Sequence, residues 1–180
     1  MSGAREGAGG AGGGPDAAAA LEHVRAAGVR AAAALAEAGA RDEALAEFVP
    51  ERRRYSIRRR AKMRPIGRVW RLGVFLLARD GTLLAAGPTT RAVPPGHPNY
   101  QSASGEERRA YRAAAFQGPF ERGEVVNFAA RPLEPVDAAS PLTIVGGEPL
   151  VRWSPGAAPA PFDAYLAERV DLLVHPPDGA

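Results

Sequence analysis

The pattern of hydrophobic residues is most continuous in the middle of the chain. Two apolar runs, 74–78 and 83–86, flank Asp80-Gly81. Asp-Gly is favoured in a two-residue type I′ turn, because both central residues need a positive φ. The first strand, from Val69 to Leu77, carries apolar residues on both faces, so we expect it to be covered on both sides. This hairpin is the predicted centre of the fold.

The N-terminal part of the chain has far fewer large side chains. Residues 1–15 are mostly glycine and alanine, so we expect a disordered Gly-rich tail. Asp16 is the predicted N-cap of an Ala-rich helix, and a shorter helix is predicted over 42–48. We interpret 16–49 as an Ala-rich helical arm that precedes a single α+β domain at 52–177.

Two further helices are predicted from capping and periodicity. Ser104 and Glu107 form a capping box, which predicts a helix over 105–117. The C-terminal stripe has the i, i+3, i+4 spacing of one helical face from Phe162 to Val174. It predicts the last helix of the chain.

The remaining apolar segments are typical of strands. One strand is predicted over 124–133, and a second hairpin pairs 142–145 with 150–153 through Gly146-Gly147. Tyr55 and Ile57 alternate with polar neighbours, which predicts an exposed edge strand. The predicted fold class is α+β, an antiparallel twisted or barrel-like sheet of about five to six strands with flanking helices.

Composition narrows the functional classes. The 180 residues include no cysteine, which excludes disulfides, thiolate nucleophiles and cysteine zinc sites. No apolar run is long enough to span a membrane, and the first residues lack the apolar segment of a signal peptide. We expect a cytoplasmic protein without a membrane partner.

The net charge of +3 is unevenly distributed along the chain. Residues 51–71 contain ten basic residues and one acid, whereas the rest of the chain contains 13 basic and 19 acidic residues. Arginine forks suit phosphate and carboxylate, so this segment is a candidate polyanion surface. The candidate anion- or nucleic-acid-binding residues are Arg52, Arg53, Arg54, Arg58, Arg59, Arg60, Lys62, Arg64 and Arg68. Two structural alternatives stay open: a solvated edge strand, or pairing with the acidic stretch 42–51.

A polar loop over 91–104 is the second candidate site. His97, Tyr100 and Ser102 are weak catalytic candidates, in which a Ser–His pair acts as nucleophile and base. The alternative is a plain connection, because prolines and a glycine account for its shape. The three histidines are too scattered to predict a metal site, and no cofactor is predicted.

Four stretches resemble a small bacterial family, many members of which are labelled glutaminase. They are KMRPIGRVWRLGVFLL (62–77), HPNYQSASGEERRAYRAAAF (97–116), GEVVNF (123–128) and YLAERVDLLVHPP (165–177). The resemblance implies hydrolysis of a glutamine amide. The motifs of known glutaminases are nevertheless absent. Arg59 stands three residues before the only lysine, Lys62, so there is no Ser-x-x-Lys pair, and the chain has no catalytic cysteine.

Three functions follow as hypotheses. The leading one is a cytoplasmic binding protein whose basic edge contacts a nucleic acid or an acidic protein. The second is a glutaminase-like amidohydrolase acting at the 97–104 loop. The third is a scaffold that binds its partner through the Ala-rich helix.

Overall fold

The computed structural model describes residues 14–54, 57–95, 103–134 and 136–177, which form three helices and twelve strands. The helices are α1 (Pro15–Glu37), α2 (Ala103–Phe116) and α3 (Phe162–Val174). The strands are β1 (Glu43–Val49), β2 (Arg52–Arg54), β3 (Ile57–Arg59), β4 (Lys62–Leu72), β5 (Phe75–Ala78), β6 (Leu83–Ala85), β7 (Thr89–Arg91), β8 (Val125–Phe128), β9 (Arg131–Pro132), β10 (Leu142–Val145), β11 (Glu148–Val151) and β12 (Ala160–Pro161). The predicted α+β class is confirmed.

Among the described residues, seven strands form the main sheet in the order β7-β8-β1-β4-β5-β6-β9. The third strand in this order, β1, pairs antiparallel with β4 and parallel with β8, so the sheet is mixed. The barrel-like antiparallel sheet of five to six strands is therefore wrong: this sheet is open and has more strands. β10, β11 and β12 form a separate small sheet, and β2 with β3 forms a two-stranded hairpin.

The second helix of the predicted N-terminal arm is wrong, because 43–49 is strand β1. Ala44 and Ala46 are buried on one face of this strand, and Leu45 is buried in a separate cluster. A strand that is covered on both faces shows no alternation of polar and apolar residues, and its alanines favour a helix when the sequence is considered alone. Pairing with two neighbouring strands outweighs that local preference.

The predicted strand over 69–77 is interrupted by a turn. Leu72 pairs with Phe75, so the chain reverses through Gly73 and Val74, and Gly73 has a φ of 66°. The hydroxyl of Tyr165 accepts a hydrogen bond from the Val74 N–H at 3.1 Å. A Cβ at Gly73 would lie 2.1 Å from that hydroxyl, so glycine is needed for α3 to approach this turn.

The Asp80-Gly81 turn exists, but it is not of type I′. Gly81 has a φ of 88° and Asp80 is not in the positive region. The Gly81 N–H donates to the Ala78 carbonyl at 3.0 Å, and the Ala78 N–H donates to Thr82 at 2.9 Å. This is a type I turn followed by a G1 bulge.

The type I′ geometry occurs instead between β10 and β11. Gly146 and Gly147 have φ values of 59° and 81°, as the predicted turn requires. The second hairpin is thus confirmed, but its return strand is 148–151 and not the predicted 150–153, because the turn contains only Gly146 and Gly147. The predicted strand over 124–133 is divided by Ala129, at a φ of 52°, into β8 and β9.

Helix α1 begins at Pro15, one residue before the predicted N-cap, and packs into the main core. Its small residues let it lie close to the β5–β6 turn, since a Cβ at Gly28 would be 2.3 Å from the Gly81 carbonyl oxygen. Leu35 of α1, Phe75 of β5 and Phe162 of α3 belong to this core. A second core lies under α2 and contains Met63 and other residues of β1, β4 and β8.

No helix in the described ranges combines the length and the apolar character that crossing a bilayer demands.

Candidate functional site

The basic segment begins with the arginine hairpin, which we define as β2 and β3. Its register places Arg52 opposite Arg59 and Arg53 opposite Arg58. The hairpin follows the β1–β4 ladder, in which Val49 pairs with Lys62. The register of the Ala46–Val49 part of the β1–β4 ladder is the same as that of the β2–β3 ladder, so β2 and β3 continue this part of the ribbon in register beyond a break at Pro50.

The break in the ribbon has a local cause. Pro50 has no N–H to donate to a ladder, so regular pairing stops after Val49 and resumes at Arg52. The resumed pairing sets like charges directly across from each other, which destabilises a two-stranded ribbon. A bound anion between such cations relieves this repulsion.

A cleft of about 530 Å³, the hairpin cleft, lies at this break. Arg52, Arg59, Arg60 and Lys62 line it, and all four side chains are exposed. The other lining residues are Val49, Pro50 and Gln117. Within the described ranges none of the four cations has an ion-pair partner, and no acidic residue lines the cleft. Their positive charge is therefore available to a ligand.

The second half of the basic segment is arranged differently. Arg64 pairs with Glu47 across the β1–β4 ladder, and Arg68 contacts Asp42 at 2.8 Å and Glu124 at 2.5 Å. The expected pairing with the acidic stretch 42–51 is thus confirmed for Arg64 and Arg68. These two predicted anion-binding residues already hold carboxylates of this chain.

Asp42 is the centre of a larger cleft of about 890 Å³, the ion-pair cleft. Its carboxylate accepts hydrogen bonds from Arg68 at 2.9 Å and from Arg79 at 2.5 Å. Burial raises the pKa of Asp42, but the hydrogen bonds from Arg79 and Arg68 outweigh burial and hold the pKa below its ordinary value. The hydrogen bond to Asp42 also raises the pKa of Arg68.

The middle of the polar loop, 96–102, lies outside the residues that the structure describes. His97, Tyr100 and Ser102 all lie outside the described residues, as does Tyr55 of the arginine hairpin. The two ends of the predicted 91–104 loop belong to regular elements, since Arg91 is the last residue of β7 and α2 begins at Ala103. Ser104 is not the predicted N-cap, since α2 already begins at Ala103.

Two further polar side chains, Asn127 and His23, have structural roles in the described chain. Asn127 is fully buried, and its amide donates to Glu43 at 2.7 Å and to the Ala44 carbonyl at 3.2 Å. His23 contacts Asp163 at 2.8 Å. Within the described ranges, no group of three or more histidines and carboxylates is placed to hold a metal ion.

Comparisons with protein-family models, curated proteins and solved structures found no match to this chain. The resemblance to glutaminase-labelled proteins and the amidohydrolase hypothesis therefore stay predictions.

Proposed function

We propose that this protein binds a polyanion of the nucleic-acid type in the cytoplasm, with the hairpin cleft as the contact surface. The observation that supports it is the set of four exposed cations without an acidic partner among the described residues. Phosphate contacts of arginine and lysine supply most of the affinity in sequence-independent binding. The cross-strand repulsion of Arg52 and Arg59 adds a driving force for binding an anion.

The test is fluorescence anisotropy with labelled single-stranded RNA and DNA, across a range of salt concentrations. Each phosphate contact on a single strand contributes about −0.7 to the slope of log affinity against log salt. Four contacts predict a slope of about −3. The double variant Arg59→Gln/Arg60→Gln removes two contacts, and its slope is expected to be smaller by about 1.4.

A charge-matched control separates local contacts from net charge. Arg30→Gln/Arg122→Gln also removes two exposed cations, but neither residue lines the hairpin cleft. We expect this control to keep the salt slope of the unmodified protein. Equal losses in both double variants, or no binding at low salt, would contradict the proposal.

A further inference from the structure

A third cleft, of about 580 Å³, lies where the end of the main sheet meets the small sheet. We call it the small-sheet cleft. It is bordered by the Gly73–Val74 turn, by β9, by the loop 138–141 and by the segment 152–159 that follows β11. Its volume is within the range of small-molecule sites.

Two arginines in this cleft are held by one loop. Arg131 donates to the Ala139 carbonyl at 2.9 Å. Arg152 donates to the carbonyls of Asp137 at 2.9 Å and Ser140 at 2.6 Å. Arg131 lies on β9 of the main sheet, and Arg152 directly follows β11 of the small sheet. Because Ala139 and Ser140 are adjacent, the two guanidinium groups donate to neighbouring carbonyls. These backbone carbonyls orient both guanidinium groups, but they carry no net charge and so do not neutralise them.

Arg71 is the third arginine that lines the small-sheet cleft. It donates to the side-chain oxygen of Asn127 at 2.7 Å and to the Gly87 carbonyl at 3.0 Å. The carboxylate of Glu43 bonds the amide nitrogen of the same Asn127, so a neutral amide separates it from Arg71. Arg71 too is fixed by neutral acceptors.

None of these three arginines forms an ion pair in the described part of the chain. The acidic residue of the loop, Asp137, accepts a hydrogen bond from the Ala139 N–H at 2.8 Å. A guanidinium has five donors, and each anchor uses only one or two of them. The free donors and the uncompensated charge are the features of an anion site before its ligand binds.

Trp153 adds an aromatic surface to this charge. It lines the small-sheet cleft and is 48% exposed, whereas Trp70 is 2% exposed. A large exposed aromatic ring beside fixed cations matches a ligand that has both a ring and an anionic group.

We propose that the small-sheet cleft binds a small organic anion that carries a flat ring and is about the size of a mononucleotide. The anionic group contacts Arg131 and Arg152, with Arg71 beyond them, and the ring lies against Trp153. A phosphate monoester and an aromatic carboxylate share this chemistry. The site is separate from the hairpin cleft.

The experiment is a tryptophan fluorescence titration, because Trp153 is exposed and Trp70 is buried. The probes are adenosine monophosphate, 2-naphthoate and uncharged adenosine. We expect a saturable change with at least one of the two anions, none with adenosine, and loss of the change in Trp153→Phe. Which anion binds identifies phosphate or carboxylate as the preferred group. No saturable response to either anion at millimolar concentration would overturn the proposal.

Variants then test the arginines and the fold separately. Arg131→Gln and Arg152→Gln keep an N–H donor for the loop but remove the charge, and each is expected to weaken binding at least roughly tenfold. Ala138 is exposed and lines the cleft. Ala138→Glu therefore places a carboxylate in the cleft and leaves the hydrogen bonds of Arg131 and Arg152 to the loop carbonyls intact. It should weaken binding similarly, whereas Ala138→Gln should not.

One variant tests whether this binding is independent of polyanion binding. Arg59→Gln/Arg60→Gln is expected to leave the fluorescence titration unchanged, since neither residue lines the small-sheet cleft. Unchanged affinity in both Ala138→Glu and the arginine variants would assign Arg131 and Arg152 to holding the loop alone. That result would overturn the inference.

Discussion

The ion-pair cleft and the hairpin cleft both contain cations of the same basic segment. In the first cleft these cations are paired with carboxylates, and in the second, among the described residues, they are not. In the ion-pair cleft, Arg68 contacts two carboxylates of this chain. In the hairpin cleft, Arg52 and Arg59 face each other across the ribbon, and acids are absent from its described lining. A count of cations in a sequence therefore does not give the electrostatic potential that a ligand meets in the folded protein. The position of the carboxylates decides it.

The largest expected effect is on stability at the ion-pair cleft. The Asp42 side chain is 12% exposed, and its carboxylate is the shared ion-pair partner of Arg68 and Arg79. Asp42→Asn replaces this carboxylate with a neutral amide. We expect the free energy of unfolding in urea to fall by roughly 1–3 kcal/mol. Arg60→Gln in the hairpin cleft should change it by less than about 0.5 kcal/mol. Asp171→Asn, at a carboxylate that is 71% exposed, is the control for a lost surface charge.

Removing the carboxylates of Asp42 and Glu124 should make the ion-pair cleft resemble the hairpin cleft, because its arginines then lack these partners. Asp42→Asn/Glu124→Gln leaves Arg68 and Arg79 without their ion-pair partners. We expect the double variant to bind labelled single-stranded RNA several-fold more tightly at low salt, with a steeper salt slope. Affinity equal to that of the unmodified protein would show that pairing does not decide which cations bind.

Acid should weaken the ion-pair cleft selectively. Because the folded pKa of Asp42 lies below its ordinary value of 3.8, its contribution to stability is complete above that pH. The contribution is lost as the pH falls through the lower folded pKa. The difference in stability between the unmodified protein and Asp42→Asn should therefore shrink as the pH falls from about 5 to about 3. Urea unfolding at each pH measures it, and a constant difference would contradict the role of Asp42.

The smallest expected effect is in the arginine hairpin. Arg52→Glu places an acid opposite Arg59 and replaces repulsion with attraction. We expect a stability gain of about 0.2–1 kcal/mol, together with weaker RNA binding. Arg52→Gln isolates the loss of one cation, and its stability should lie between the two. Tighter RNA binding by Arg52→Glu would contradict the proposed interface.

Local patterns predicted those parts of the fold that depend on nearby residues. The stripe from Phe162 to Val174 coincides with α3, and the predicted turn at Gly146-Gly147 is present, because spacing and φ preference are properties of the segment itself. Strand β1 was not predictable in this way. Its alanines become strand residues only through β4 and β8, and the β8 partners are about 80 residues away.

The candidate site was predictable to a similar extent. The basic run follows from residues 52–59 alone, but the structure has two paired strands there, β2 and β3, where one edge strand is predicted. The division of the run into paired and unpaired cations does not, since Glu124 is 56 residues from Arg68. Arg131 and Arg152 are isolated in the sequence, and only the packing of the small sheet against the main sheet places both on the loop 137–140.

The parallel pairing of β1 with β8 has a consequence for synthesis on the ribosome. β1 and β4 are close in sequence and can pair early, but the other edge of β1 waits for residues 125–128. At 5–20 residues per second, translation of the ~55 residues from the end of β4 to β8 takes roughly 3–11 s. During that interval the nascent chain carries an unpaired edge of β1, which later becomes an interior strand of its sheet. The order in which the segments emerge thus makes the early ribbon a ready partner for other nascent strands, and completion of β8 ends that exposure.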